Sequence, residues 1–184
     1  MAEDRTIGAA ISAYRASCGI PPDGGAGARW VTVRALGLPI TFPNFAARRA
    51  ILFLHDVHHL LSGYTTTWRG EAEIGAFELR TGCGRFWAAW MFNSGGFLFG
   101  LAIAPRAMFR AFVRAGTCTN FYGTAEATVA ERPVASARRE LGLDQPPRRG
   151  TWRDVAAFTV WALGVVGFWV AAPLAILARL FGFA

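Results

Sequence analysis

The residues best suited to metal chemistry are concentrated in one short part of the chain. His55, Asp56 and His59 stand within five positions, and a loop separates them from Glu71. On an α-helix of about 100° per residue, His59 lies about 40° and Asp56 about 100° from His55, so the three side chains share one arc. Imidazole and carboxylate groups suit zinc and other first-row divalent ions better than calcium. The spacing therefore predicts a metal site.

The surroundings of these side chains favour the same interpretation. Asp56 is embedded among apolar residues, where an unpaired carboxylate is costly and a bound cation would offset that cost. A lone histidine on such a face is more often structural than a ligand, but all three histidines of the chain fall within residues 55–59. His58 points to the other side of the helix, and we interpret it as a supporting or packing residue.

Helical periodicity predicts the elements that position the site. Apolar residues recur at helical spacing over residues 5–17, 45–61 and 69–81, and glycine or proline follows each segment. The second and third helices should pack as neighbours across a short loop, which brings Glu71 towards the histidines. No strand pattern is strong enough to assign a sheet. The predicted fold class is all-α: a single helical domain with a metal site between two neighbouring helices, plus a C-terminal apolar helix.

The composition predicts contact with a membrane. Hydrophobic residues make up 53% of the chain and charged residues 17%, which is unusual for a soluble domain. Residues 86–105 are uncharged and long enough to span a bilayer. Because Asn93 and Ser94 interrupt this run, we predict a buried or membrane-dipping segment instead of a clean span.

The C-terminal part of the chain is the stronger candidate for a membrane span. Residues 155–178 are 24 consecutive uncharged residues, more than the roughly 20 that a spanning helix needs. Pro173 lies among them and is tolerated in a membrane helix. We therefore predict a helical domain at residues 1–147, followed at residues 148–184 by a linker and a transmembrane or membrane-anchoring helix.

The charge of the protein fits a membrane surface better than nucleic acid. The net charge is +7 and all 19 basic residues are arginines, but they are spread along the chain and most aromatic residues lie in apolar runs. No nucleic-acid partner is predicted. Arg148, Arg149 and Arg153 precede the candidate span and Arg179 follows it, so the main domain is predicted on the cytoplasmic face of a membrane, such as the bacterial inner membrane.

Residues 55–71 resemble the signature of a known family. The string HDxxH, then eleven residues, then a glutamate preceded by glycine, is typical of the fourth Coq protein of ubiquinone (coenzyme Q) biosynthesis. The residues that fall on this signature without a gap are His55, Asp56, His59 and Glu71. Weaker similarity extends the resemblance over roughly residues 5–143. The chain departs from the family pattern at His58, where an apolar or aromatic residue is expected, and in the apolar tail after Gly150.

The resemblance implies a fold, a metal and a reaction. It implies an all-helical protein in which His55, Asp56, His59 and Glu71 are the metal ligands and catalytic residues. The metal would be zinc, with Fe²⁺, Mn²⁺ and Mg²⁺ as alternatives. The reaction would be decarboxylation, with or without oxidation, at C1 of a polyprenylated 4-hydroxybenzoate. The implied partners are that quinone precursor, membrane lipid and other quinone-biosynthesis proteins, and the sequence allows a homo-oligomer.

Two other functions remain open on the sequence alone. A non-catalytic scaffold could hold a prenyl lipid in an apolar groove and organise the enzymes of quinone biosynthesis. A membrane iron-dependent desaturase or hydroxylase is the second alternative, because residues 55–59 also match an HxxHH box. Such enzymes draw on several histidine clusters, and this chain has no histidine outside that box. The desaturase interpretation is therefore the weaker one.

Overall fold

The computed structural model describes residues 5–35 and 38–182, and this part of the chain is mostly helical. In chain order the elements are α1 (Ile7–Ser17), β1 (Trp30–Ala35), β2 (Leu38–Pro43), α2 (Ala46–Ser62), α3 (Trp68–Thr81), α4 (Trp87–Ile103), α5 (Pro105–Ala115), α6 (Glu126–Ala130), α7 (Val134–Glu140) and α8 (Trp152–Leu180). The predicted all-α class is confirmed, including the long apolar helix at the C-terminal end.

The turn between α2 and α3 depends on two glycines. Gly63 adopts a positive φ of 78°, which favours glycine, and its N–H caps α2 by donating to the His59 carbonyl. Gly70 lies where a Cβ atom would stand 1.8 Å from the Thr65 carbonyl oxygen, so no larger residue fits without a shift of the backbone. This close approach places Glu71 in the first turn of α3, facing back towards α2.

The centre of the domain is formed by α3 packed against α4 and α5. Gly100 of α4 permits this packing, because a Cβ atom there would lie 2.2 Å from the Met108 sulfur and 2.5 Å from Ala72. Phe97 and Phe112 are fully buried in the same core. The apolar segment at residues 86–105 therefore forms a helix with one side in the core, and whether its other side enters a membrane stays a prediction.

A β-hairpin between α1 and α2 was not predicted. Its strands are antiparallel, and the register places Val31 opposite Phe42 and Val33 opposite Ile40. Pro39 and the other proline of β2 weaken the strand pattern in the sequence, because proline cannot donate to a sheet. The hairpin adds a small two-stranded element to the helical domain.

Helix α8 belongs partly to the domain and partly to its exterior. It is the one helix among the described residues that is long and apolar enough to cross a membrane. Its first half packs on the domain: Phe158 contacts Phe97 at 5.3 Å between ring centroids, and Trp161 stacks on Trp90 at 6.1 Å. After Trp169 its side chains are mostly exposed. The anchor predicted at residues 148–184 therefore begins with a segment that also covers α4 and α5.

Candidate metal centre

Three of the four predicted site residues converge between α2 and α3. His55 and His59 lie one turn apart on α2, and Glu71 faces them from the first turn of α3. His55 Nε2 is 3.6 Å from one carboxylate oxygen of Glu71, and His59 Nε2 is 3.5 Å from the other. The three ligand atoms lie within 4.8 Å of one another. Two imidazoles and a carboxylate in this arrangement could hold a metal ion.

Hydrogen bonds fix the orientation and tautomer of both imidazoles. His59 Nδ1 lies 3.0 Å from the carbonyl oxygen of Tyr64, and His55 Nδ1 lies 3.1 Å from Glu78 Oε2. A carbonyl only accepts hydrogen bonds, and a carboxylate does the same, so each Nδ1 must carry a proton and donate it. In the neutral ring each Nε2 then presents a lone pair towards Glu71, as a metal-binding histidine does.

His59 Nε2 shows why this arrangement suits a cation. The atom is buried and has no hydrogen-bond partner, and its ring is only 2% exposed. A bare lone pair 3.5 Å from a carboxylate oxygen is repelled by it, whereas a metal ion or proton between the two atoms would be attracted to both. The residues present therefore fit a divalent cation.

The pKa shifts of His55 and Glu71 also favour a bound cation. Burial lowers the pKa of His55, but the carboxylates of Glu78 and Glu71 outweigh this and raise it well above its ordinary value. Burial raises the pKa of Glu71, but the nearby imidazoles of His55 and His59 outweigh this and lower it to about 2. Without a metal the cluster therefore holds a carboxylate and attracts a proton to His55, and a metal ion would replace that proton.

Glu78 is the main residue that sequence reasoning missed. Its side chain is fully buried and accepts hydrogen bonds from His55 Nδ1 at 3.1 Å, His58 Nδ1 at 2.6 Å, Tyr122 OH at 2.8 Å and Asn93 Nδ2 at 2.5 Å. Burial alone would raise the pKa of Glu78, yet His55 and the other donors hold it well below its ordinary value. Glu78 is therefore a buried carboxylate that orients one face of the cluster.

His58 supports this carboxylate and does not join the cluster. Its Nε2 accepts the backbone N–H of Phe121 at 3.0 Å, so its Nδ1 carries the proton that it donates to Glu78. The side chain is completely buried. The position of His58 thus agrees with the supporting role that its helical angle indicated, and its partner explains why a polar residue stands at this apolar position.

Asp56, predicted as the fourth ligand, lies outside the group of three ligand atoms. Its Oδ2 atom accepts hydrogen bonds from Arg15 Nε and Nη2, each at 2.8 Å. Arg15 also donates to the carbonyl of Pro22 at 2.7 Å. Asp56 therefore neutralises a buried arginine and ties α1 and the loop after it to α2. The helical arc correctly placed Asp56 near the histidines but could not reveal this competing partner.

Comparisons with known proteins do not identify the cluster. No family model, no curated protein and no solved structure matches this chain. The similarity of residues 55–71 to the ubiquinone-biosynthesis signature therefore stays a prediction, and the geometry of the cluster has to support the functional interpretation.

An apolar groove lies near the cluster but is separate from it. It has a volume of about 510 Å³ between α4 and α8, and its walls include Trp87, Met91 and Phe168. None of the three cluster residues lines it. The link between the two is α4: Ser94 lines the groove, and a Cβ atom on Gly96 would lie 3.6 Å from the Glu71 carbonyl oxygen. A chain-like ligand could reach both features only by passing over α4.

Proposed function

We propose that this protein is a membrane-anchored, metal-dependent lyase of ubiquinone biosynthesis, which removes the carboxylate at C1 of a polyprenylated 4-hydroxybenzoate. The observation that carries the proposal is the convergence of His55 Nε2, His59 Nε2 and the Glu71 carboxylate, with the buried His59 Nε2 left without a partner. The resemblance of the same residues to the HDxxH signature supplies the substrate class.

His55, His59 and Glu71 would hold the metal, and the hydrogen-bond acceptors behind the two histidines would keep their imidazoles in position. A divalent ion such as Zn²⁺ supplies Lewis-acid stabilisation of oxygen anions when bound. His55 and His59 present unprotonated Nε2 atoms because Glu78 and the Tyr64 carbonyl accept their Nδ1 protons. Three protein ligands are typical of catalytic zinc sites, where a further position is left for substrate.

The proposed reaction exchanges a carboxylate for a proton. The bond between C1 and the carboxylate carbon breaks, carbon dioxide leaves, and the electron pair stays on C1, which takes up a proton. Water can supply that proton from the open side of the cluster, where the side chain of Glu71 is 35% exposed and that of His55 22%. Glu71 stays ionised at neutral pH and acts as a ligand, because the nearby imidazoles of His55 and His59 lower its pKa to about 2. The oxidative variant, in which hydroxyl replaces the carboxylate, additionally requires an oxidant such as dioxygen.

The apolar groove supports a lipid substrate. Each buried CH₂ contributes about 0.8 kcal/mol, so a few isoprene units outweigh most contacts that a polar ring can make. The groove between α4 and α8 is apolar, and α8 would keep it next to the lipid phase. We therefore expect affinity for head-group analogues to rise steeply with the length of the prenyl tail. Equal affinity across a series of tail lengths would argue against a quinone precursor.

The decisive assay follows labelled carbon dioxide. The purified full-length protein, reconstituted in lipid vesicles, is given prenylated 4-hydroxybenzoate with a labelled carboxyl group. We expect label release that stops on chelation and returns with Zn²⁺, Fe²⁺ or Mn²⁺. Glu71→Gln should abolish it, whereas Glu73→Gln, two residues further along the same helix, should not. Release that is unchanged by chelation and by Glu71→Gln would contradict the proposal.

The separation of groove and cluster favours one second candidate, a prenyl-lipid-binding scaffold. In that case the groove would bind the prenyl chain while the cluster stabilises the fold. The same reconstituted protein distinguishes the two functions. A scaffold would bind the prenylated precursor with equal affinity before and after chelation and release no label, either in the absence of oxygen or under air.

A further inference from the structure

The β1–β2 hairpin has one apolar face that is only partly covered. The register places Val31 opposite Phe42 and Val33 opposite Ile40, and Leu38 follows on the same face of β2. Towards the base, Val31 and Phe42 are half-buried. Further out, Val33 is 37%, Ile40 51% and Leu38 69% exposed. The apolar surface of this face therefore increases with distance from the domain.

The opposite face of the hairpin is polar at its centre, and Trp30 and Pro43 are paired on it at the base. Thr32 and Thr41 stand across from each other, and their hydroxyl groups are hydrogen-bonded at 2.9 Å. Two-stranded hairpins are marginally stable in water by themselves, and an exposed apolar patch usually marks a contact surface. The division into an apolar and a polar face resembles that of an element lying at a boundary between lipid and water.

The hairpin and the exposed part of α8 adjoin the same region of α4. At the base of the hairpin, Phe42 packs on Phe92 with 5.7 Å between the ring centroids. Ser94, two residues further along α4 and on the other side of the helix, accepts a hydrogen bond from the Trp169 indole at 3.2 Å. The exposed part of α8 begins directly after Trp169. Phe45, which follows β2, stacks on Trp87 at 5.4 Å, and Trp87 lines the groove between α4 and α8 together with Phe168. A bilayer that surrounds the exposed part of α8 would therefore lie near the base of the hairpin.

The residues at the base of the hairpin carry the charge that suits a lipid surface. Arg29 and Arg49 are both exposed, and both contact Asn44, which begins the segment leading into α2. Trp30, next to Arg29, is 55% exposed and lies on the face that carries Thr32 and Thr41, away from the face of Val33 and Ile40. Arginine and tryptophan are the side chains that commonly occupy the headgroup region, where arginine meets anionic phosphates and the indole ring lies between apolar and polar layers.

We propose that the hairpin is a second membrane contact, in which the face carrying Val33, Leu38 and Ile40 inserts into the boundary between headgroups and acyl chains. Arg29 and Arg49 then lie at the phosphates of anionic phospholipids. The free N–H and C=O groups along the strand edges keep the hairpin at this depth, because they cannot enter the hydrocarbon core unpaired. The inference rests on α8 as the membrane anchor in the proposed function, and it does not depend on the metal or the reaction.

Such a contact would orient the domain on the bilayer. A single helix leaves the domain free to rotate about its attachment, whereas two contacts on either side of the middle of α4 fix one face. Gly96, one turn after Phe92 on α4, lies beside the backbone of Glu71 and so connects this part of α4 to the metal centre. The metal centre would then be held at a constant height above the lipid that supplies a prenylated substrate.

The test places a polarity-sensitive fluorophore on single cysteines of the full-length protein. Cys18 and Cys118 are replaced by serine, and the buried Cys83 is retained. Ile40→Cys probes the apolar face, and Thr41→Cys, its neighbour on the opposite face, is the matched control. Leu174→Cys on the exposed part of α8 is the reference. The proteins are reconstituted in vesicles of phosphatidylcholine and phosphatidylglycerol, with or without a lipid that carries a nitroxide quencher near the headgroup or deep in the acyl chain.

The expected result is a blue shift and loss of emission at position 40 with the shallow quencher, little change at position 41, and loss of emission at position 174 with the deep quencher. Quenching at position 174 without quenching at position 40 would overturn the hairpin contact and leave the anchor intact. A blue shift at position 40 that no quencher affects would show that protein covers this face, and would also overturn the inference. If neither position 40 nor position 174 is quenched, the membrane interpretation of both elements fails, while the carbon dioxide assay still tests the metal centre.

Discussion

The metal cluster and the α4–α8 region represent two different ways of burying side chains. Around the cluster, each buried polar group is held by directional hydrogen bonds, and Glu78 alone accepts four of them. Between α4 and α8 the contacts are mainly aromatic and non-directional, as in the stack of Trp90 on Trp161, although the Trp169 indole also donates a hydrogen bond to Ser94. The cluster leaves one buried atom, His59 Nε2, without a partner, whereas the second region leaves apolar side chains exposed.

This difference indicates what each region lacks. One bound ion would supply the partner that His59 Nε2 lacks, so metal binding at the cluster should respond sharply to single substitutions. Apolar side chains that are exposed along a whole side of a helix are covered by an extended apolar phase such as a bilayer. The α4–α8 region should therefore respond to the loss of buried apolar area and not to the loss of single atoms. The following predictions test whether the two regions are separable in this way.

The largest effect is expected for His59→Ala. Removal of this ring takes away the buried Nε2 that needs a cation, so the variant should lose its metal completely while its helical content stays nearly unchanged. Ser62→Ala, a buried substitution one turn further along α2, is the control and should keep the metal. Elemental analysis and circular dichroism of both variants measure this. Global unfolding of His59→Ala would instead mark His59 as a structural residue.

A chain shortened to residues 1–170 should lose its stable retention in the bilayer but keep its fold and metal. The contacts that α8 makes through Phe158, Trp161 and Trp169 all precede the cut, and the residues removed are mostly exposed. Vesicle flotation and metal analysis report the two properties separately. Weak, salt-sensitive binding to anionic vesicles should remain if the hairpin is a membrane contact. Simultaneous loss of fold and metal would show that the end of α8 is part of the core.

Glu78→Gln should weaken metal binding by about 10–100-fold, which is the usual effect of removing the acceptor behind a metal-binding histidine. It should also lower stability, since an amide in place of the carboxylate faces the donors of His58, Asn93 and Tyr122. Tyr122→Phe separates the two effects, because it removes one donor to Glu78 and leaves the bond to His55 intact. Calorimetric titration with Zn²⁺ should show an affinity loss in Glu78→Gln only. Equal losses in both variants would mean that general loosening, and not the orientation of His55, controls binding.

The smallest predicted effect is a dependence of metal affinity on pH. The pKa of His55 is raised in the metal-free fold, so a proton competes with the metal and affinity should rise as pH rises towards that pKa.

The stabilising effect of that proton on the metal-free fold is complete below the ordinary histidine pKa and is lost as pH rises through the raised value. Glu71 acts in the opposite sense: its contribution is present above its ordinary pKa and is lost as pH falls towards about 2. Thermal unfolding across the pH range between these pKa values, with and without Zn²⁺, measures both the stability of the metal-free fold and its affinity for the metal. An affinity that does not vary with pH would contradict the protonation of His55.

The local parts of this fold could be predicted from sequence. Helices α1, α2 and α3 follow from apolar periodicity and from the glycines and prolines after them, and α4 and α8 follow from long uncharged runs. The hairpin could not be predicted, because Pro39 and Pro43 weaken β2 as a strand pattern. Helices α6 and α7 have only five and seven residues, too few to show a period.

The site was predictable only where its residues are close in sequence. The turn between α2 and α3 brings Glu71 to His55 and His59, and spacing alone suggested this. Glu78 lies on the same side of α3, two turns after Glu71, and a glutamate between Phe77 and Leu79 was a signal of a buried carboxylate. Its partners Asn93 and Tyr122 come from other parts of the chain, as does Arg15, which takes Asp56. No spacing rule connects such distant residues.

The central claim is that His55, His59 and Glu71 together bind one divalent ion. The most direct test is X-ray absorption spectroscopy, combined with elemental analysis, on the full-length protein purified without chelators. The account predicts one metal ion per chain with two imidazole ligands, at about 2.0–2.1 Å if the metal is zinc, and at least one oxygen ligand. It also predicts that one imidazole disappears from the spectrum of His55→Ala whenever that variant retains any metal. A metal-free protein that stays metal-free after incubation with Zn²⁺, Fe²⁺ and Mn²⁺, or a bound metal without imidazole ligands, would contradict it.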